Sequence, residues 1–572
     1  MIEDFTANPA AEDASWGLAD ESQIPAEATP SLLAALLTLA ACGGGGGTPA
    51  PPTSTAPPPP PPPPAIILPT RIQATRFVGQ AAMGAARADI DRVAGGGYEV
   101  WLSEQFNLPR ATSHWDWLVA AGYAVPANMN GTTGFDPVMW RQLIASPDQL
   151  RQRVGMALLD FLVVGVDGIN SSWRQFSAAA YVDILMDNAF GNYRTLLDRI
   201  STNAAMGYYL TFLGNRKANS ATGAVPDENY ARELLQLFTI GLVRLNLDGS
   251  VQMSGGRPIE TYTQDDITGL ARVFTGFTLD SADNSTPDRM RRPMIVNAAQ
   301  HETGPKTFLG TTIPAGTGGT DSLKLALDAI FAHPNVAPFV SRQLIQRLVT
   351  SNPSPGYVAR MSNVFENNGS GVRGDLRALV RAILLDPEAR SDAGLASPSF
   401  GKLREPVMRL TGWARAFNAN SPANTWPIGD TSSTANRLGQ SPGRSPSVFN
   451  FFRPGYTPPN SAIATAGLVA PEFQITNEPS VIAYVNYMQA LVANGSGDFR
   501  ANYSEILTRA GDSLALVDEV DILLSAQLGA ATKGAIRSAV DSISPAGAGG
   551  PENRVYAAIL LTLASPEYLV QK

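Results

Sequence analysis

The chain reads as all-α: one large multi-helix domain over residues 70–572, behind a disordered Gly/Pro-rich N-terminal tether over residues 1–69. Three observations predict this. Apolar residues recur with a helical period from Arg71 onward. No stretch sustains the alternation of a half-buried strand. Pro57 to Pro64 form an unbroken run, which lacks ladder donors and favours stiff polyproline II.

The helical elements follow in chain order. Gln149 to Val164 places Leu150, Val154, Ala157, Leu158, Phe161 and Leu162 on one stripe. Similar stripes run through Tyr181–Ile200, Tyr230–Ile240, Ile267–Phe274, Leu323–Phe331, Val336–Val349, Leu376–Leu385, Val407–Phe417 and Val481–Val492. Ser146-Pro147-Asp148, Asp386-Pro387-Glu388 and Ser565-Pro566-Glu567 each supply an N-cap, a proline at the first helical position and an acid at the positive helix end. The best strand candidates, Val163–Val166 and Met294–Val296, are short. Long Gly, Pro, Asn and Ser stretches at 214–227, 245–262, 280–322 and 418–460 are where a site is expected, because loops of that length in a packed domain are usually functional or disordered.

The tether carries the clearest signal. An apolar run from Leu32 ends in Leu39-Ala40-Ala41-Cys42, and Cys42 is the only cysteine. Gly43 to Gly47 follow. This resembles a bacterial lipobox, the signal cut before a cysteine that is then lipidated at Cys42. The expected location is the cell envelope, as a periplasmic or outer-membrane lipoprotein held to the membrane through its lipid anchor alone. One feature runs the other way: residues 1–31 are acidic, where a signal peptide opens with positive charge. The competing reading is an acidic leader that happens to contain Leu-Ala-Ala-Cys. The apolar run is too short to span a bilayer, which takes roughly 20 residues.

Composition narrows the function classes. Seven acids and no Lys or Arg fall within residues 1–70, so most of the net charge of −8 belongs there. The rest of the chain is nearly neutral and has no electrostatic footprint for nucleic acid. A single cysteine excludes intrachain disulfides and cysteine-rich zinc sites, and His114, His301 and His333 are the only histidines.

Three polar stretches could carry chemistry. In Pro226–Phe238, at about 100° per residue, Glu228, Asn229, Arg232, Glu233 and Gln236 share one helix face, with Tyr230, Leu234, Leu235, Leu237 and Phe238 opposite. Two carboxylates and a guanidinium together can hold a divalent cation, do acid–base work or clamp a polar ligand. They can equally be a solvated face with Glu228 and Arg232 as an i, i+4 pair. Thr263-Gln264-Asp265-Asp266 reads as a capping box with Asp266 in place of Glu, which leaves Asp265 free. Gln300–Thr307 holds His301, Glu302 and Lys306 within six residues. His301 could serve as a base, or the stretch could be a surface turn. Trp115 and Trp117 read as core-edge anchors, and His333-Pro334 as a helix start.

Asp227–Leu234 is similar to the Glu-Asn-x-Ala-Arg-Glu-Leu hallmark of the bacterial domain of unknown function 1800 family. Tyr262–Asp266 with Ala271–Phe277 resembles its Tyr-Thr-Glu-x-Asp and Ala-Arg-x-x-Thr-Gly-Trp block. His301–Gly310 resembles its His-Asp-x-Gly-x-Lys-x-x-Leu-Gly block, and Ser445–Phe452 its Pro-Pro-x-Val-x-x-Trp block. Gln264, Glu302 and Phe277 depart from the pattern, and Phe452 lies near where its last Trp is expected. The resemblance implies an envelope or secreted protein, often encoded beside a sulfatase-like partner, and no established reaction.

Two functions are therefore expected. One is an envelope hydrolase or transferase on a polar or polymeric substrate. There Glu228, Glu233 and Asp265 would be acid–base or cation-binding groups and His301 the base, with Asn229, Arg232 and Lys306 binding the ligand. All would converge on one pocket. The other is a non-catalytic binding or assembly partner that uses the same face. A pocket with perturbed carboxylates favours the first, and a flat exposed face the second.

Overall fold

Helices build the architecture, as the apolar periodicity requires. A computed structural model describes residues 68–572. Residues 1–67, with most of the predicted tether, the lipobox-like stretch and Cys42, lie outside the described residues. Among those described, strands occur only as four antiparallel two-stranded pairs. Every larger element is a helix, and none is long and apolar enough to cross a membrane. One continuous apolar core runs from Ala74 to Tyr568.

Local chemistry sets most boundaries. Leu376–Leu385 forms as the stripe predicts, with Asp375 accepting from Ala378 N. Asp386 and Ser565 cap the short helices behind their prolines, as expected. The Thr263/Asp266 capping box is present at the start of Gln264–Ala271. Trp115 and Trp117 are both buried in the core edge.

Three boundaries differ from the sequence reading. The stripe expected to continue to Val164 stops at Leu159. Residues 163–166 leave the helix and run against the long 418–460 loop, where Val166 N donates to Gly443 O at 2.9 Å. The same helix starts at Gln149 with Asp148 as N-cap, two residues later than Ser146-Pro147 suggested. Tyr181–Ile200 is two helices, Arg174–Asp187 and Tyr193–Ser201. Asn192 accepts from Arg194 N and starts the second with a side-chain cap that the stripe does not reveal.

Two features position the sites. Asn229–Glu233 runs directly into a wide π-turn over Leu234–Thr239, where Ile240 N donates to Leu235 O at 2.9 Å. Such widened turns shift the facing of side chains and are frequent at functional sites. Beyond it, residues 242–261 fold back as a hairpin arm tipped by Met253–Ser254 paired with Arg257–Pro258.

The helix Gln264–Ala271 lies against the hairpin Lys306–Phe308/Thr311–Ile313 at Gly269. A Cβ there would lie 1.7 Å from Thr307 O. The obstacle is backbone, which cannot rotate away. Gly269→Ala should therefore destabilise the protein by about 1–3 kcal/mol or more, despite alanine's better helix propensity. A urea midpoint equal to wild type would contradict this packing.

Candidate functional site

The most unusual chemistry is in the interior. Arg153 sits on Gln149–Leu159, and Asp160 follows as that helix's C-cap. Arg347 comes from Val336–Leu348, and Lys402 from the strand Lys402–Leu403. Glu405 precedes Pro406–Ala416, and Glu472 lies on the short turn Pro471–Ile475. All six side chains are buried. Burial of an isolated charge is prohibitive, so each needs partners.

Most of those partners are present. Lys402 Nζ lies 3.0 Å from Glu472 Oε1 and 3.5 Å from Glu405 Oε1, and donates to Arg347 O at 2.9 Å. Arg347 donates to Gln343 and to the Asp160 backbone carbonyl. Arg153 donates to the carbonyls of Arg347 and Gln80. Gln440 Nε2 donates to Glu405 Oε2 at 2.8 Å. Asn450, held at a left-handed φ of 56°, donates its Nδ2 to Asp160 Oδ1 at 2.7 Å.

The three carboxyls are tuned apart. Burial pushes Asp160 up to about 8, and the Glu405 charge adds to the push against Arg347, Lys402 and Arg153. Burial also raises Glu472, opposed by Lys402 and reinforced by Glu405. Burial alone would raise Glu405 as well, but Lys402, Arg153, the Gln440 hydrogen bond and Arg347 outweigh it and hold it below its ordinary value. Burial thus favours the carboxylic-acid form of Asp160, the form able to donate a proton.

Asp160 lies at the foot of two narrow creases. One, of about 10 Å³, runs between Met156, Val164 and the Gln440–Ser445 stretch. The other, of about 20 Å³, is lined by Arg347, Gln343, Phe161, Leu237, Val448 and Phe449. Each has room for about one water. Both are roofed by the last of the four sequence blocks, Ser445–Phe452. Tyr209 reaches the same roof, with its hydroxyl 3.4 Å from Ser445 Oγ.

The sequence-selected residues divide into three groups. Glu228 and Arg232 form a half-exposed ion pair at 3.2 Å, and Gln264 and Thr268 each donate to Glu228 at 2.7 Å. Asn229 is next to this group and donates to Thr211 Oγ1 at 3.4 Å. Asp265 is exposed and makes no side-chain hydrogen bond among the described residues. Glu233 turns inward instead. It is 8% exposed, Oε2 has no partner, and burial raises its carboxyl against the pull of Arg232. Its charge acts on the Tyr209 phenol, and Leu237, one helical turn on, lines the second crease.

His301 belongs to a third group. It is buried, with Nδ1 2.8 Å from Thr275 O and Nε2 3.4 Å from Ser322 Oγ. The carbonyl fixes the proton on Nδ1. Burial first, then the Lys306 charge, lowers its pKa, despite hydrogen bonds that favour the charged form. Lys306 is also buried, its pKa lowered by burial and supported by Glu302. Both pin the turns around the 306–313 hairpin. No hydrogen bond or ion pair joins His301 to Glu228 or Glu233 among the described residues. Nor do three or more His, Cys, Asp or Glu gather there in a form that could hold a metal.

The sequence reading passed over Asp160 and its partners. A usable signal existed: Asp160 is the single charge in the run Ala157–Val164, and Arg347 stands between Ile345 and Leu348-Val349. A charge inside an apolar run has to be buried with a partner.

Because Asp160 binds its proton more tightly folded than unfolded, its stabilising contribution is complete below the unfolded carboxylate pKa of about 4. It is lost as pH rises through about 8. Asp160→Asn keeps the shape and the acceptor for Asn450 without the titration. Relative to wild type, the variant should gain urea stability steadily from pH 4 to pH 8. A difference independent of pH would show that Asp160 titrates normally.

No curated protein and no solved structure matches the chain. A family model does, over residues 76–570, nearly all of the described protein, and its description is "Protein of unknown function (DUF1800)". The four sequence blocks therefore lie in one family domain that also contains the buried Asp160 network, and the chain belongs to the DUF1800 family.

Proposed function

We propose that the protein is a hydrolase or transferase acting on a polar, polymeric cell-envelope substrate, with Asp160 as general acid. The observation that supports this is the Asp160 carboxyl, buried where two creases meet it and where desolvation favours its protonated form. A pKa near the working pH is what proton transfer to a leaving group needs. The buried guanidinium of Arg347 lines the second crease beside it and has an unpartnered Nε, suited to charge developing on a substrate oxygen. The creases admit a water or a narrow substituent, so a bulky substrate reaches Asp160 only if the 441–454 segment moves aside.

The test is an activity screen of residues 68–572 on envelope glycans, peptides and esters. Asp160→Asn should lower turnover by about 10²–10⁴-fold. In the wild type, kcat/KM should fall above about pH 8, where Asp160 loses its proton. Full activity in Asp160→Asn would end this reading.

A second reading has its own support. The Glu228–Arg232–Gln264–Thr268 network is half-exposed and satisfied within itself, which suits a docking face more than a reacting pocket. On that reading the protein is a non-catalytic assembly partner, with a sulfatase-like protein as its counterpart. Specific capture of such a protein, lost in Glu228→Lys, together with no turnover on any polymer, would favour it.

The envelope location belongs to the same proposal and rests on Leu39-Ala40-Ala41-Cys42 and the glycines behind it. Cys42→Ser should abolish metabolic lipid labelling and release the protein from the membrane fraction. Protein isolated from its host with residues 1–41 still attached would refute the anchor.

A further inference from the structure

The hairpin arm walls a second, larger cleft of about 250 Å³ that shares no residue with the Asp160 creases. Arg244, Glu260, Tyr262, His333 and the Leu309-Gly310 turn are among the residues that line it. Its walls are fixed by polar anchors. Asn335, 2% exposed, donates to Ile240 O at 2.8 Å and Val243 O at 2.7 Å, and accepts from Leu245 N at 3.0 Å. Asp266 accepts from Leu309 N at 2.6 Å and Thr263 N at 2.8 Å. The cleft is therefore preformed.

Asp266 also lines the cleft but both its oxygens are spent, whereas Arg244 and Glu260, exposed at its walls, are free among the described residues. Arg244 and Glu260 make no side-chain hydrogen bond or ion pair among the described residues, with each other or with anything else. His333 Nδ1 accepts from Asn335 N at 3.1 Å, which puts the proton of the neutral ring on Nε2, and Nε2 has no partner there. Burial, then the Arg244 and Arg373 charges, lowers the His333 pKa, so it enters as a neutral donor.

This set is mixed in sign. A lone anion would meet the Glu260 carboxylate, and a lone cation the Arg244 guanidinium. A molecule carrying both charges satisfies both groups at once. We propose that this cleft binds a small zwitterion, an amino acid or short peptide, with its carboxylate on Arg244 and His333 and its ammonium on Glu260. The volume is below that of drug-sized pockets and suits a ligand of one or two residues.

Calorimetric titration of the full chain with alanine, alanylalanine, acetate and ethylamine tests this. Alanine or alanylalanine should bind at least tenfold more tightly than acetate or ethylamine. Tighter binding of free alanine points to a metabolite, and tighter binding of the dipeptide to a peptide end. Arg244→Gln and Glu260→Gln should each weaken binding at least tenfold, with the thermal transition unchanged, because neither side chain supports the fold. Asp160→Asn should bind normally, which separates this site from the proposed reaction centre. Acetate binding as tightly as alanine, unchanged binding in Glu260→Gln, or no binding by either zwitterion would overturn the proposal.

Discussion

Six buried ionisable side chains organise this fold. Arg153, Asp160, Arg347, Lys402, Glu405 and Glu472 come from five separate segments, and none can be left without the others. Removing one partner from a buried pair costs about 3–5 kcal/mol, because the charge left behind cannot reach water. That is a large part of the total stability of a typical domain. The network ties together the segments that carry it, and it holds Asn450 and the long loop over Asp160. The raised Asp160 pKa follows from the same constraint: two carboxylates compete for shared cations in a dry interior, and Glu405, nearer Lys402 and hydrogen-bonded to Gln440, keeps the charge.

Much of the fold was legible in the sequence because it depends on short-range rules. Period 3.6 located Leu376–Leu385, and a proline behind Asp386 or Ser565 located helix starts. Thr263 and Asp266 form the capping box their spacing suggested. Where the reading slipped, a tertiary contact decided. The helix at Leu159 ends because the chain beyond it packs on Gly443, 284 residues away by number, and no local pattern encodes that.

The candidate site was less legible for a related reason. The polar face of Asn229–Glu233 was drawn for a regular helix. The π-turn that follows, and the burial of Glu233, split that face between solvent and interior. Glu228 and Arg232 stay half-exposed while Glu233 faces Tyr209. His301, a natural candidate base by residue type, spends both ring nitrogens on Thr275 and Ser322. The perturbed carboxyl lies instead at the C-cap of a helix whose sequence shows chiefly an apolar stripe, beneath the long 418–460 loop.

The pairing of Lys402–Leu403 with Val570–Gln571 has a kinetic meaning. Lys402 can be held in its buried position only once residues far downstream have been made and have reached it. Gln571 also donates to Leu348 O at 2.8 Å, and Arg76 to the Lys572 carbonyl at 3.1 Å. Contacts of such sequence separation are formed late and slowly. A ribosome-bound chain ending before them would have its strongest electrostatic cluster open to water. Burial of Lys402 is thereby deferred until the strand Val570–Gln571 has been made and has paired with it.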